Sequence, residues 1–417
     1  MSLIKTSLLN SIAVAIKVAS ALVLNKILAI YVGPAGYAII GQYQNAVSIV
    51  VSLAGGVVGT GVTKATAEHF DNEEKQHAIW RTAIRASLVA SIITGILLVL
   101  LSNNLSQWVL HQPDMSSVFV WLALTLPAMA ANNLLLSIIN GKKEVAIFVA
   151  SNILGSILTI IVTSFLAIKF GLYGTLVAFA INPAIVLLAT ATIVARRDWF
   201  KIQFLWGKIN RPALLELSGF AIMGLTSALT VPLSYMFIRD HIAARIGITA
   251  AGYWQASWKI SEIYLMLITT TLSAYYLPRL SEIRNASDLK KEIIKVYRFV
   301  MPVVLIGAAT IFLLRDFIIK TLFTPDFLPM RELFPWQLAG DIIKIGSWIL
   351  AYIMIGRSMV KYYLSSEVIF SVALIILSQL MINYFGLIGA NIAYAINYLI
   401  YWLFMAAIMK YELKKII

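Results

Sequence analysis

Cysteine is absent from all 417 residues, which excludes disulfide scaffolding, thiol catalysis and cysteine-ligated metals. Charged residues make up 12% of the chain, too few to cover a soluble protein of this length. The four histidines, His69, His77, His111 and His241, fall in or beside expected loops without HExxH or other ligand spacing, so neither a metal site nor a cofactor is expected. No phosphate-binding loop ending in GK[ST] occurs, which leaves nucleotide-driven transport by this chain unsupported. Any transport by such a chain would draw instead on an ion gradient, the membrane potential or the substrate's own gradient. Connections between apolar segments are short and leave no room for a soluble catalytic domain. No Asp or Glu falls inside an apolar span of the first half.

Apolar sequence is what the chain has in excess, with 60% hydrophobic residues and a mean hydropathy of +0.86. Twelve segments are long enough to cross about 30 Å of hydrocarbon: 8–31, 39–63, 82–102, 117–139, 146–168, 173–195, 216–238, 250–276, 299–320, 334–356, 364–384 and 387–409. The expected fold is an all-α polytopic membrane protein. Lys and Arg cluster on alternate connections: Lys142 and Lys143; Arg196, Arg197, Lys201, Lys208 and Arg211; Arg279, Arg284, Lys290, Lys291, Lys295 and Arg298; then Lys410, Lys414 and Lys415. The other connections hold scattered cases such as Lys169, Arg239, Arg245 and Arg331. Positive residues stay in the cytoplasm, so both termini are expected there. The net charge of +14 is mostly this inner face and requires no nucleic acid. Met-Ser-Leu-Ile-Lys leads into the first span without a cleavage signature, and that helix is expected to be retained.

An internal repeat divides the chain. Phe-Gly-Leu-x-Gly-x-x-x-Ala-x-Ala-Ile-Asn occurs at Phe170 to Asn182 and again at Phe385 to Asn397, 215 residues later, and Ala35-Gly36-Tyr37 recurs as Ala251-Gly252-Tyr253. Two six-helix lobes of the same orientation follow, 1–196 and 216–417, joined by a cytoplasmic linker over 197–215 with an amphipathic helix around Trp199 to Trp206. Such lobes are related by a pseudo-two-fold axis along the membrane normal, with a substrate path between them. The glycines of the repeat are expected to make a tight outer turn.

Ionisable groups inside spans are the candidates for chemistry, because each costs at least about 2.5 kcal/mol in hydrocarbon. In the first lobe these are Lys17, Lys26, Lys64 and Arg85. Lys26 can snorkel and Arg85 lies near the inner interface, whereas Lys17 lies about 14 Å into its span and is expected to line an aqueous cavity. In the second lobe Gln255, Lys259 and Glu262 share one helical face, and Gln337, Asp341 and Lys344 share another. Each trio holds an acid and a base at i, i+3, so each is either an intrahelical ion pair or a cavity stripe whose acid serves a coupling ion. A charge-swapped Asp341/Lys344 double mutant is expected to restore expression but not transport. Asn45, Ser48, Ser52, Gly56 and Gly59 form a small polar seam on the second span, suited to close helix packing, with Asn45 also a polar cavity candidate. Trp254, Trp258 and Trp336 fit an interfacial aromatic belt, with sugar stacking the other reading. Pro127, Pro183, Pro232 and Pro302 mark expected kinks.

Further signatures are Val32-Gly33-Pro34-Ala35-Gly36, Gly61-Val62-Thr63-Lys64, Tyr253-Trp254-Gln255, Leu277-Pro278-x-Leu280-Ser281, Leu314-Arg315-Asp316-Phe317 and Trp336-Gln337-Leu338-x-Gly340-Asp341-x-x-Lys344. In this order they resemble the Wzx-type O-antigen and enterobacterial common antigen flippases, the polysaccharide branch of the multidrug/oligosaccharidyl-lipid/polysaccharide (MOP) exporter superfamily, MATE-like in fold. The resemblance implies transfer of an undecaprenyl-diphosphate-linked oligosaccharide from the cytoplasmic to the periplasmic leaflet of a bacterial inner membrane. It also implies a glycan polymerase and a chain-length protein as candidate partners, and a monomer as the expected state. A cationic cavity between the lobes agrees in sign with a diphosphate headgroup, so Lys17, Lys26, Lys64, Arg85, Lys259 and Lys344 are its candidate ligands. Glu262 and Asp341 are candidates for the coupling ion, with Asn45, Gln255 and Gln337 as polar lining. The alternative within the fold, a cation-coupled drug antiporter, is disfavoured by the absence of an acid in the first lobe's spans. A membrane-bound glycan polymerase or transferase would be expected to carry a large outer loop or a sugar-nucleotide domain.

Overall fold

The computed structural model describes residues 3–56, 58–283, 285–357 and 359–416, with the side chains of 3–11, 216, 218–223, 274, 278, 281 and 411–416 outside the description. Of the basic residues used for orientation, Arg284 and the side chains of Lys414 and Lys415 lie outside the described residues. Every regular element among the described residues is helical. The principal helices are α1 (Leu3–Val51), α2 (Val58–Glu68), α3 (Glu73–Leu100), α4 (Ser116–Gly141), α5 (Val145–Val194) and α6 (Arg211–Arg245). They continue with α7 (Ile248–Thr271), α8 (Ala286–Leu313), α9 (Phe334–Gly356), α10 (Val360–Phe385) and α11 (Ile388–Ile416).

Among the described residues eight segments are long and apolar enough to cross a membrane, and two of them, Ile12–Gly56 and Val145–Val194, run to 45 and 50 residues. One crossing needs roughly 20 residues. Each long segment breaks on a glycine in the left-handed region, Gly33 at φ 67° and Gly171 at φ 56°, a conformation a Cβ makes costly. With these two taken as helical pairs and α6 and α7 added, helix length allows the twelve crossings expected. The protein is an all-α multi-pass membrane protein.

The repeat is visible in backbone geometry. Gly386 turns at φ 63°, ψ −144°, much as Gly171 does at φ 56°, ψ −132°. A Cβ on Gly174 would come within 2.1 Å of the Leu166 carbonyl oxygen, and one on Gly389 within 2.1 Å of the Met381 carbonyl oxygen. Both glycine pairs therefore serve the same turn in their own copy, as the sequence repeat requires.

The chain divides into two compact units, residues 1–32 with 39–232, and residues 33–38 with 233–417. In the first unit Val62, Ala65, Trp80, Ala83 and Ile138 form a buried core where α2, α3 and α4 meet. The segment after α5 is fastened to this core: Trp199 donates to Glu144 Oε1 at 3.2 Å, and Phe204 stacks on His77 at 3.9 Å. Lys142 sits over the rings of Trp80 and Trp199 at 5.6 and 5.9 Å, and burial lowers its pKa from the ordinary lysine value. The amphipathic helix expected there is instead a single 3-10 turn, Ile202–Leu205, because the indole and phenyl rings are drawn into the core. In the second unit Tyr276, Val304, Ile345, Ile349 and Met405 are buried together. Tyr37 and Tyr253, equivalent in the two repeats, both pack on Phe327, at 5.8 and 6.3 Å. Gly252 lies against the backbone of Pro34, where a Cβ would come within 1.9 Å of the carbonyl oxygen.

The second span is not one continuous helix. α1 ends at Val51, and a wide π turn over Ser52–Gly56, with Gly55 at φ 98°, precedes α2. Gly56 and Gly59 therefore leave the helical face that carries Asn45 and Ser48. The small residues do allow close packing: Gly55 abuts Ser87, and a Cβ on Gly59 would lie 2.7 Å from Ser137 Oγ. Pro127, Pro183, Pro232 and Pro302 all lie inside helical segments, and the residues of non-helical backbone within α1 and α5 are Gly33 and Gly171.

Candidate functional site

The acid and base at 341 and 344 do not pair. Asp341, fully buried on α9, is ringed by donors: Ser261 Oγ and Tyr264 OH (3.0 Å) on Oδ2, and Tyr394 OH (2.9 Å) and Gln337 Nε2 (3.3 Å) on Oδ1. Asn391 donates to Gln337 Oε1 at 2.7 Å and so fixes which end of that amide faces Asp341. The carboxylate thus ties α7, α9 and α11 together through hydrogen bonds that its charge strengthens. One turn on, the buried Lys344 ammonium lies over four rings, Trp348 at 4.8 Å, Trp258 at 4.9 Å, Tyr398 at 5.3 Å and Tyr394 at 5.7 Å. A desolvated cation gains up to about 2 kcal/mol from such faces. Helical spacing brings the two residues onto one face, and better partners from neighbouring helices then separate their charges.

The other trio behaves as the ion-pair reading expected, with Lys259 Nζ 2.7 Å from Glu262 Oε2 and Glu262 largely exposed. Its Gln255 is buried elsewhere, accepting from Arg239 Nη2. Beside this helix lies a cavity of about 270 Å3 lined by Trp258, Ser261, Glu262, Lys344 and Trp348 among others. Trp254 is buried under the Arg239 guanidinium at 5.5 Å and Trp258 is part of the ring cage, which removes both from the belt reading; Trp336 is exposed.

Bases of the first unit are placed differently. Lys17 is exposed on α1 and makes no hydrogen bond or ion pair among the described residues. Lys26 and Arg85 are half-buried and Lys64 is exposed, with Lys26 and Lys64 each engaged in an interaction. Asn45 is half-buried, and its Nδ2 has no partner among the described residues. A cavity of about 380 Å3 opens between α1, α4 and α5, lined by Ser20, Asn132, Asn133, Ser151, Asn152 and Asn182 with small and aliphatic residues. Among the described residues no group of His, Asp or Glu could hold a metal ion.

Three features escaped the sequence reading. Arg239, assigned to an outer connection, is buried within α6; the absence of any Gly or Pro between Pro232 and Gly247 was the available signal. Glu367, inside the eleventh predicted span, is half-buried on α10 and adds negative potential at Lys344 together with Glu262. The ring cage joins residues from three helices and has no local signature.

Comparison with known proteins agrees with this architecture. An inward-facing multidrug resistance MATE family transporter of the MOP superfamily superposes with a TM-score of 0.79, at 14% identity over 96% of this chain and 95% of its own. A MOP superfamily transporter from Pyrococcus furiosus gives 0.68, at 14% identity over 97% and 96%. The fold is therefore of the MOP/MATE type. Residues 27–332 match the family described as Polysaccharide biosynthesis protein. The chain is 31% identical over 403 residues to the Lipid III flippase of Escherichia coli (strain K12), and equally to that of Shigella flexneri, covering 96% of this chain and 97% of each relative. It belongs to this family of polysaccharide biosynthesis proteins.

Proposed function

We propose that the protein is a flippase that carries an undecaprenyl-diphosphate-linked oligosaccharide from the cytoplasmic to the periplasmic leaflet of a bacterial inner membrane by alternating access. The observation that carries this reading is 31% identity to the Lipid III flippases across 97% of their length. It is a transporter rather than an enzyme, with both termini cytoplasmic and two six-helix lobes, 1–196 and 216–417. Lys17 receives the diphosphate, since an ammonium with no partner among the described residues and deep in a span has its donors available for phosphate oxygens. Lys26, Lys64, Arg85 and Lys259 supply further positive potential along the path, and Lys344 does so from within its ring cage. Asp341 is the better of the two coupling candidates. Taking up a proton or cation there weakens the hold on donors from α7, α9 and α11 at once, whereas Glu262 is exposed and already paired. A monomer that works alongside a glycan polymerase and a chain-length protein is the expected assembly.

The test is export in proteoliposomes loaded with the lipid-linked oligosaccharide, scored by access of a membrane-impermeant glycosidase. Lys17→Ala should abolish transfer while leaving membrane yield and melting temperature unchanged. A fully active Lys17→Ala protein removes this residue from the mechanism, and a wild-type protein that moves no lipid overturns the flippase reading itself.

A further inference from the structure

The cavity of the first unit brings no charged side chain to a ligand. Its lining holds no charged side chain and no aromatic ring, only Ser, Asn and Thr among Ala, Gly, Leu, Ile, Pro and Val. Three of its lining residues are more than nine-tenths buried, Asn132 at 6%, Ser151 at 2% and Asn182 at 5% exposure. Each carries an oxygen with no hydrogen-bond partner among the described residues: Asn132 Oδ1, Ser151 Oγ and Asn182 Oδ1. The other end of the Asn182 amide is fixed, because its Nδ2 donates to Thr163 Oγ1 at 2.9 Å. Asn152 likewise spends its Nδ2 on the Phe148 carbonyl at 2.7 Å, which leaves its carbonyl oxygen as the acceptor it can offer. Buried polar atoms without partners lower stability and are uncommon in folded proteins. Several lining one cavity amount to unspent acceptor capacity.

The cavity also has a fixed relation to Lys17. Ser20, Ala21 and Leu24, its contribution from α1, follow Lys17 at i+3, i+4 and i+7 and so share its helical face. They begin about one turn beyond Lys17 and end about 10 Å from it along the helix axis.

We propose that this cavity seats the uncharged sugar next to the diphosphate, its acceptor oxygens taking hydrogen bonds from pyranose hydroxyls. The proposal rests on the flippase reading, with the diphosphate at Lys17 and the sugar in the adjoining neutral chamber. Acceptors without charge suit a ligand group that brings its own donors and no charge.

The test measures dissociation constants on the purified full-length protein with three probes: undecaprenyl diphosphate, undecaprenyl diphosphate bearing one N-acetylglucosamine, and sodium chloride alone. The wild-type protein should bind the sugar-bearing lipid about tenfold tighter than the bare one, the contribution of one or two hydrogen-bonded groups. Asn132→Leu with Ser151→Ala should erase that preference, leave affinity for the bare lipid unchanged, and raise the melting temperature by removing partnerless polar atoms. Ser151→Ala alone, a smaller change, should narrow the preference severalfold if the double variant does not fold. A preference retained in the folded variants overturns the proposal, as does a sodium affinity that the variants lose in its place. If bare lipid binds and the sugar adds nothing, the chamber assignment alone falls. If neither lipid binds, the flippase reading falls with it.

Discussion

Two cavities, one taken from each unit, are built from opposite materials. The first, of about 380 Å3, is walled by amides and hydroxyls and holds buried oxygens with no partner among the described residues. The second, of about 270 Å3, is walled by two indoles, an acid and a base among smaller and aliphatic residues, and its polar groups are already committed: Ser261 to Asp341, Glu262 to Lys259, Thr269 to the Met266 carbonyl and Lys344 to four rings. Spent hydrogen-bonding capacity contributes to stability and spare capacity is available to a ligand. Repetition of the fold therefore does not mean repetition of the lining: of these two cavities, the one in the first unit holds the spare acceptors.

Exchanging charges in the second unit should break this contrast most severely. Asp341→Lys with Lys344→Asp sets a carboxylate against four ring faces and an ammonium among hydroxyls oriented as donors. The loss should reach about 4 kcal/mol or more, the range of a disrupted buried charge network, and both membrane yield and export should fail. Sequence spacing alone favours recovery of expression by this swap; recovery to wild-type yield would restore the direct ion pair and dissolve the contrast.

The turn glycines test the opposite limb, where the two repeats should agree. Gly174→Ala and Gly389→Ala each drive a methyl group to within 2.1 Å of a backbone carbonyl oxygen, and each should cost about 1–3 kcal/mol. Melting temperatures of the two variants should fall by similar amounts, and a marked inequality would mean that the turns are loaded differently. The smallest effect belongs to Lys259→Ala. Its pair with Glu262 is solvent-facing, at 25% and 59% side-chain exposure, so stability should change by less than about 0.5 kcal/mol.

Much of this arrangement was legible in the residues. Long apolar runs gave the spans, and Gly171 and Gly386 were readable as turns because the motif around them occurs twice. Lys17 stood out because an isolated base in hydrocarbon is costly. Partner choice was not legible. Asp341 and Lys344 meet the i, i+3 rule, yet that rule fixes only the distance between Cβ atoms, and the heads turned to Tyr394 and Trp258, which lie 53 residues after and 83 residues before Asp341 in the chain. The neutral chamber was equally hidden, since Ser20, Asn132, Ser151 and Asn182 come from separated segments, and each alone reads as an ordinary polar residue in a helix. The break at Gly55 was missed because hydropathy continues across it unchanged.

That break has a mechanical consequence. Where α1 stops at Val51 and α2 resumes at Val58, the regular hydrogen-bond ladder is interrupted in a span that lipid would otherwise surround, and lipid offers no hydrogen bonds in exchange. The turn is covered by protein instead, packed against α3 and α4, with Gly55 seated on Ser87 of α3. Pulling either neighbour away would strip that cover and leave bare peptide groups in oil. These three pieces of the first unit must therefore travel as one rigid strut through any transport cycle, and whatever bending the cycle demands has to be taken up outside them.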